Sequence, residues 1–180
     1  MNTDKMMKKV VIPYLICLLL AGCVQKKMAP SSVFPAKPAL KIEAVATQYT
    51  AQLDLRGNVL NGILMVKKSG NGTHVIFVSH FGLTVFDVEI LTDTMKINQC
   101  PEALQNRRAL ALLEQDLRSL TTAPNNQTFS AIFTDNDKKH LTFGKGVLKG
   151  RMVLGCYSDD YPELITIAHR ALKIYWHITY

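Results

Sequence analysis

From residue 48 onward apolar and polar residues alternate with period two. Tyr49, Ala51, Leu53 and Leu55 interleave with Thr50, Gln52, Asp54 and Arg56. Alternation sends successive side chains to opposite faces, which predicts a half-buried strand over residues 48–56. Gly57-Asn58 is a turn signal, and a second strand is expected over residues 59–67. That strand is apolar on both faces, with Leu60, Leu64 and Val66 on one and Val59, Ile63 and Met65 on the other. Ser69-Gly70-Asn71-Gly72 makes the next turn, and strands over 75–79, 83–90 and 94–98 follow. Short strands joined by tight turns imply an antiparallel meander.

The period then becomes helical. Pro101 suits a first helical position, and Glu102 favours the N-terminal end of the dipole. Leu110, Leu113, Leu117 and Leu120, extended backwards by Leu104, form one stripe; Glu114 and Arg118 lie four apart on the wet face. Thr121, Thr122 and Pro124 end the helix. Strands resume over 128–134, 141–149, 152–158, 164–168 and 172–180. In the last of them Leu172, Ile174, Trp176, Ile178 and Tyr180 alternate with polar or amphipathic residues. The expected fold class is α+β: a strongly curved antiparallel sheet, a half-open barrel, wrapped around one long helix whose leucines fill the concave side.

The start of the chain has a different pattern. Lys5, Lys8 and Lys9 precede an apolar run over residues 10–20, and Leu20-Ala21-Gly22-Cys23 closes it. A basic start, a short apolar core and small residues read as a secretory signal peptide, too short to span a bilayer. A buried helix at 10–20 is the alternative, but it leaves the flanking basic run and the small-small-Cys triplet unexplained. The tetrapeptide resembles the lipobox of bacterial lipoproteins, which implies acylation of Cys23. The expected division is a signal peptide at 1–22, a lipid-anchored proline-rich tether at 23–40 carrying Pro30, Pro35 and Pro38, and one domain at 41–180.

The formal charge is +7, of which Asp4 and the three signal lysines supply +2, leaving about +5 on the mature part. That excess is spread out, a mild bias towards anionic surfaces such as phospholipid headgroups. With no basic helix or aromatic-basic platform, nucleic acid is not an expected partner. Cys17 leaves with the signal. Cys100 and Cys156 remain, either as one disulfide, which an exported compartment permits, or as two buried thiols. No CxxC or HxxxH spacing points to a metal, and no cofactor is expected.

The order of elements, with Gln52-Leu53-Asp54-Leu55-Arg56-Gly57, Gly62-Ile63-Leu64-Met65 and Phe81-Gly82-Leu83-Thr84-Val85-Phe86-Asp87, is similar to lipoproteins of the LolA/LolB-like group. The resemblance covers about residues 45–180. It implies an unclosed barrel with a helical lid over an apolar cavity that holds a lipoprotein anchor or acyl chain. Members of the LolB type also expose a leucine on a loop that enters the membrane; Val59-Leu60 is the candidate here. Val24, directly after the lipid site, implies outer-membrane attachment facing the periplasm, since an aspartate there is the enteric inner-membrane signal.

Leu53, Leu55, Leu64, Val66, Phe77, Phe86, Leu113 and Leu117 either line such a cavity or form a solid core, because both need apolar side chains. Chemistry is harder to assemble. His74, His80, His140, His169 and His177 are scattered and read as strand-surface or half-buried residues, His80 beside Phe81-Gly82 being the first to examine. Asp159-Asp160 reads as a turn and Gly144-Lys145-Gly146 as a bend between strands. The chain therefore reads as a non-enzymatic envelope protein that binds an acyl chain or lipoprotein anchor. The alternative is a structural or assembly lipoprotein that binds an envelope protein and has a filled core.

Overall fold

The computed structural model describes residues 35–125, 129–135 and 137–180. The signal peptide, Cys23, Val24 and most of the tether lie outside the described residues. Ten strands form one antiparallel sheet: β1 (Thr47–Leu55), β2 (Asn58–Ser69), β3 (Gly72–Ser79), β4 (Thr84–Ile90), β5 (Met95–Gln99), β6 (Phe129–Asp135), β7 (Lys138–Phe143), β8 (Gly150–Ser158), β9 (Tyr161–His169) and β10 (Ile174–Thr179). Their order across the sheet is β5-β4-β3-β2-β1-β10-β9-β8-β7-β6. The first and last strands pair at the centre, Leu53 opposite Trp176 and Ala51 opposite Ile178. β5 and β6 are the two edges, so the sheet is not closed. Among the described residues the connection from one edge to the other contains one α-helix, α1 (Arg107–Thr121).

The strand expectations hold to within a few residues, because tight turns and period two are local signals. The main shift is at β7, which runs over Lys138–Phe143 and yields to a 3-10 turn at Gly146–Leu148. The helix also begins later than the sequence suggests. Pro101 opens a 3-10 turn over Glu102–Leu104, and α1 starts after Asn106, whose side chain accepts from the Ala109 N–H at 2.9 Å. An asparagine cap satisfies a donor that proline at Pro101 leaves untouched.

The core lies between α1 and one face of the sheet. Leu117 and Leu120 share one cluster with buried residues of every strand except the edge β5, including Leu64, Phe77, Phe86, Leu141, Met152, Ile167 and Trp176. The buried face of α1 is turned from the expected stripe: Leu112, Asp116, Leu117, Ser119 and Leu120 face inward, while Leu110 and Leu113 are half-buried. The boundary expected after Leu40 falls inside this core. Leu40 is 0% exposed and Ala39 is 2% exposed. The Leu40 N–H donates to the Leu120 carbonyl at 3.0 Å, and the Lys41 N–H donates to the Tyr49 hydroxyl at 2.7 Å. The last residues of the expected tether are thus part of the packed domain.

Candidate functional site

An apolar groove of about 130 Å³ runs beside α1, lined by Leu53 and Leu55 of β1, Phe86 of β4, Leu104, Ala109, Leu112, Leu113 and Asp116 of the helical segment, and Ile174 and Trp176 of β10. Leu55 and Ile174 are register partners at one end of the sheet, so the groove reaches that end. The half-buried Leu55, Leu104, Leu113 and Ile174 pack on the core's rim. Of the eight residues expected to line a cavity, Leu53, Leu55, Phe86 and Leu113 do so. Leu64, Val66, Phe77 and Leu117 are fully buried and belong to the solid core instead. Alternation alone distinguishes inward from outward, not filled from empty.

One polar cluster lies under the groove. Asp116 Oδ1 is 2.7 Å from His169 Nε2, and its Oδ2 accepts from Trp176 Nε1 at 3.1 Å. All three residues are buried. Burial raises the Asp116 carboxyl above the ordinary carboxylate range, against the opposing pull of His169 and Trp176. Burial also works to strip the proton from His169, but the Asp116 carboxylate outweighs it and holds the imidazole pKa above its usual value. The Leu148 and Lys149 carbonyls lie on the far side of the ring and push the same way, yet none meets hydrogen-bond geometry with Nδ1. Carboxyl and imidazole thus form one buried hydrogen-bonded pair. It has no nucleophile in its contacts, and its effect is to pin the middle of α1 to β9 and β10. Gln115 Nε2 adds a bond to the Leu148 carbonyl at 2.8 Å. Arg118 joins Glu114 at 2.8 Å and donates to the Leu91 carbonyl at 2.7 Å.

The other singled-out residues sit apart from the groove. His80 is exposed in the β3–β4 turn, its backbone N–H bonded to the Asn61 carbonyl. His74 meets Asp87 at 2.7 Å, and Asn98 donates to the same oxygen at 2.8 Å. His140 accepts from the Arg151 guanidinium at 2.8 Å. Asp159 and Asp160 form the β8–β9 turn with φ of 48° and 69°. Among the described residues no group of three or more His, Cys, Asp or Glu side chains could hold a metal ion.

Two expectations are corrected. Cys100 and Cys156 are both free: Cys100 is half-buried after the edge strand β5, and Cys156 is exposed in β8 at φ 53°. They are neither bridged nor a pair of core thiols. The most exposed apolar loop is not Val59-Leu60. Phe81 is 91% and Leu83 70% exposed in the β3–β4 turn, whereas Leu60 packs on the core. Phe81-Gly82-Leu83 looked like any strand entry in sequence, and only the turn's place at the tip exposes it.

No protein-family model matches this chain, and no curated protein matches it.

Proposed function

We propose that this protein is a lipid-anchored, periplasm-facing envelope lipoprotein that takes the end of an acyl chain, free or on a lipoprotein anchor, into the groove beside α1. In this reading the unclosed sheet curves around α1 as a half-open barrel of the LolA/LolB-like kind, and α1 is its lid. Cys23 carries the lipid, Val24 directs it to the outer membrane, and the exposed Phe81 and Leu83 meet the bilayer. The groove is the supporting observation: its lining is apolar apart from Asp116, whose oxygens already have partners.

Size sets what the groove takes. At about 130 Å³ it is smaller than the ~300–1,000 Å³ of pockets that enclose drug-sized ligands. With a water-sized group occupying roughly 30 Å³, it admits about four methylenes, worth roughly 3 kcal/mol of burial. A longer length of chain enters only if α1 moves outward.

The test is uptake of a fluorescent fatty acid by the purified full chain. Leu113→Trp fills the groove from a half-buried position and should weaken uptake about tenfold or more, with the fold retained. No uptake by the parent chain, or uptake indifferent to Leu113→Trp, rejects the reading.

A second reading is supported by the filled half of the expected cavity and by β5, an edge strand with Lys96, Ile97, Asn98 and Gln99 all exposed. An open edge accepts a strand from a partner, which fits an assembly lipoprotein bound to an envelope protein. Crosslinking in cells separates the two: recovered lipid supports the first, one defined protein joined through β5 the second.

A further inference from the structure

We propose that the end of the sheet where the groove opens carries a headgroup site, built from Lys149, Arg151 and Arg170, that seats the domain on anionic phospholipid. The inference rests on the envelope reading above but not on acyl uptake by the groove.

The register places four turns at this end: β1–β2, β3–β4, β7–β8 and β9–β10. They carry Arg56, Lys145, Lys149, Arg170 and Lys173, all exposed, and no carboxylate. The nearest acid in β1, Asp54, is engaged by the Gly57 N–H at 2.6 Å. Glu102, in the segment between β5 and α1, is accompanied by Arg107 and Arg108. The turns at the opposite end carry Asp93, Asp137, Asp159 and Asp160 but are flanked by Lys67, Lys68, Lys138 and Lys139, and Lys37 pairs with Asp160 at 3.1 Å, so that end has mixed charge. Five cations without a carboxylate make the turns at the groove's end the part of the domain that a negative surface draws towards itself.

The basic end also has a receptacle. An open cavity of about 440 Å³ is lined by Thr142, Gly146, Lys149, Gly150, Arg151, Ala168, Arg170 and Ala171. Three cations around one concavity, with the Thr142 hydroxyl beside them, suit a phosphate diester, which guanidinium groups bind in a forked geometry. Arg151 is held from behind by its bond to His140, whose pKa is lowered first by burial and then by Arg151 itself, so the ring stays neutral and accepts. Val147, 66% exposed in the same turn, would enter the interface as the phosphate is bound. Apolar tips among basic residues are the composition of a bilayer-surface contact rather than of a free-phosphate site.

The anchor permits this orientation. Pro35 lies with Lys37, Lys139, Tyr157, Asp160 and Pro162 at the opposite end. Eleven residues separate it from Cys23, twelve steps with a reach of up to about 40 Å, against roughly 30 Å for the nine-residue β8. The basic end can therefore face the same bilayer that holds the lipid.

Hydrogen exchange of the full chain, reconstituted in vesicles of phosphatidylcholine alone or mixed with phosphatidylglycerol, tests this. Amides of 145–149 and 170–173 should exchange about fivefold slower or more in the anionic vesicles, the factor of one cation held at an anionic surface. High salt should remove that protection, and residues 159–160 should not change. Lys149→Glu with Arg170→Glu should abolish the protection; the salt arm on the parent chain decides even if that variant folds poorly. Equal exchange in both vesicles, or protection that survives high salt, overturns the proposal. Protein that fails to stay with neutral vesicles instead refutes the lipid anchor.

Discussion

At Asp116 a carboxylate inside the core meets His169 on one oxygen and Trp176 on the other. Asp116→Ala removes the charge and leaves two buried donors without an acceptor, which should cost about 3–5 kcal/mol in denaturant unfolding. Asp116→Asn keeps an acceptor and should cost less. The pair also sets a pH dependence. The folded pKa of His169 is raised above its unfolded value, so its contribution is complete below about pH 6.5 and is lost as pH rises through the folded value. The raised Asp116 pKa acts in the same sense: its burial penalty is absent at low pH and grows as the carboxyl ionises. Stability should thus decline as pH rises, first above the ordinary carboxylate range as Asp116 ionises and then above about pH 6.5 as His169 loses its proton, and Asp116→Asn should flatten that decline; a decline unchanged in the variant contradicts the pairing. None of this was legible in the sequence. Nothing in the sequence singles out Asp116, and its partners lie 53 and 60 positions away. The cysteines give a second residue-scale outcome. Peptide mapping after alkylation without reductant should find Cys156 labelled quickly and Cys100 slowly, since burial raises the Cys100 thiol pKa. Two thiols that react only after reduction would show a bridge.

Single elements explain why the strands were easier to read than the helix. Strands β1 and β10 announce themselves through period two, and they pair at the centre of the sheet with Ala51, Leu53, Trp176 and Ile178 buried. For α1 the leucine spacing fixes a helix but not its rotation. Core-facing Asp116 and Ser119 satisfy their polar groups inside, Asp116 across the sheet and Ser119 by donating to the Asp116 carbonyl at 2.7 Å. Nor did proline composition reveal that the chain packs from Ala39 onward, because burial there depends on α1 and Tyr49. Leu40→Ala should therefore lower stability by about 2–5 kcal/mol, as for other buried leucines. A change within a few tenths would place Leu40 outside the cooperative core. At Gly150 a β-carbon would stand 2.6 Å from both Phe143 Cζ and His169 Cε1. Gly150→Ala should cost about 1–3 kcal/mol, read from the unfolding midpoint.

Among the described residues the molecule is an open antiparallel sheet of ten strands, with one helix between its two edge strands. Its groove lies between that helix and the central strands β1 and β10. Half of the residues expected to line it do so, and the rest are core; sequence could not apportion them, because a void and a filled interior take the same side chains. For the anchor, the proposal predicts that Cys23→Ala leaves the protein exported but not processed at this site, and that the mature N-terminal peptide of the parent carries added acyl mass. Fractionation with inner-membrane markers would contradict the outer-membrane assignment from Val24. Entry of an acyl chain beside α1 is tested by a photoreactive fatty acid bound to the full chain. Adducts on Leu53, Leu55, Leu104, Leu113 or Ile174 are the predicted result. Adducts confined to Phe81 and Leu83, or scattered over the outer face with none in the groove, would contradict it.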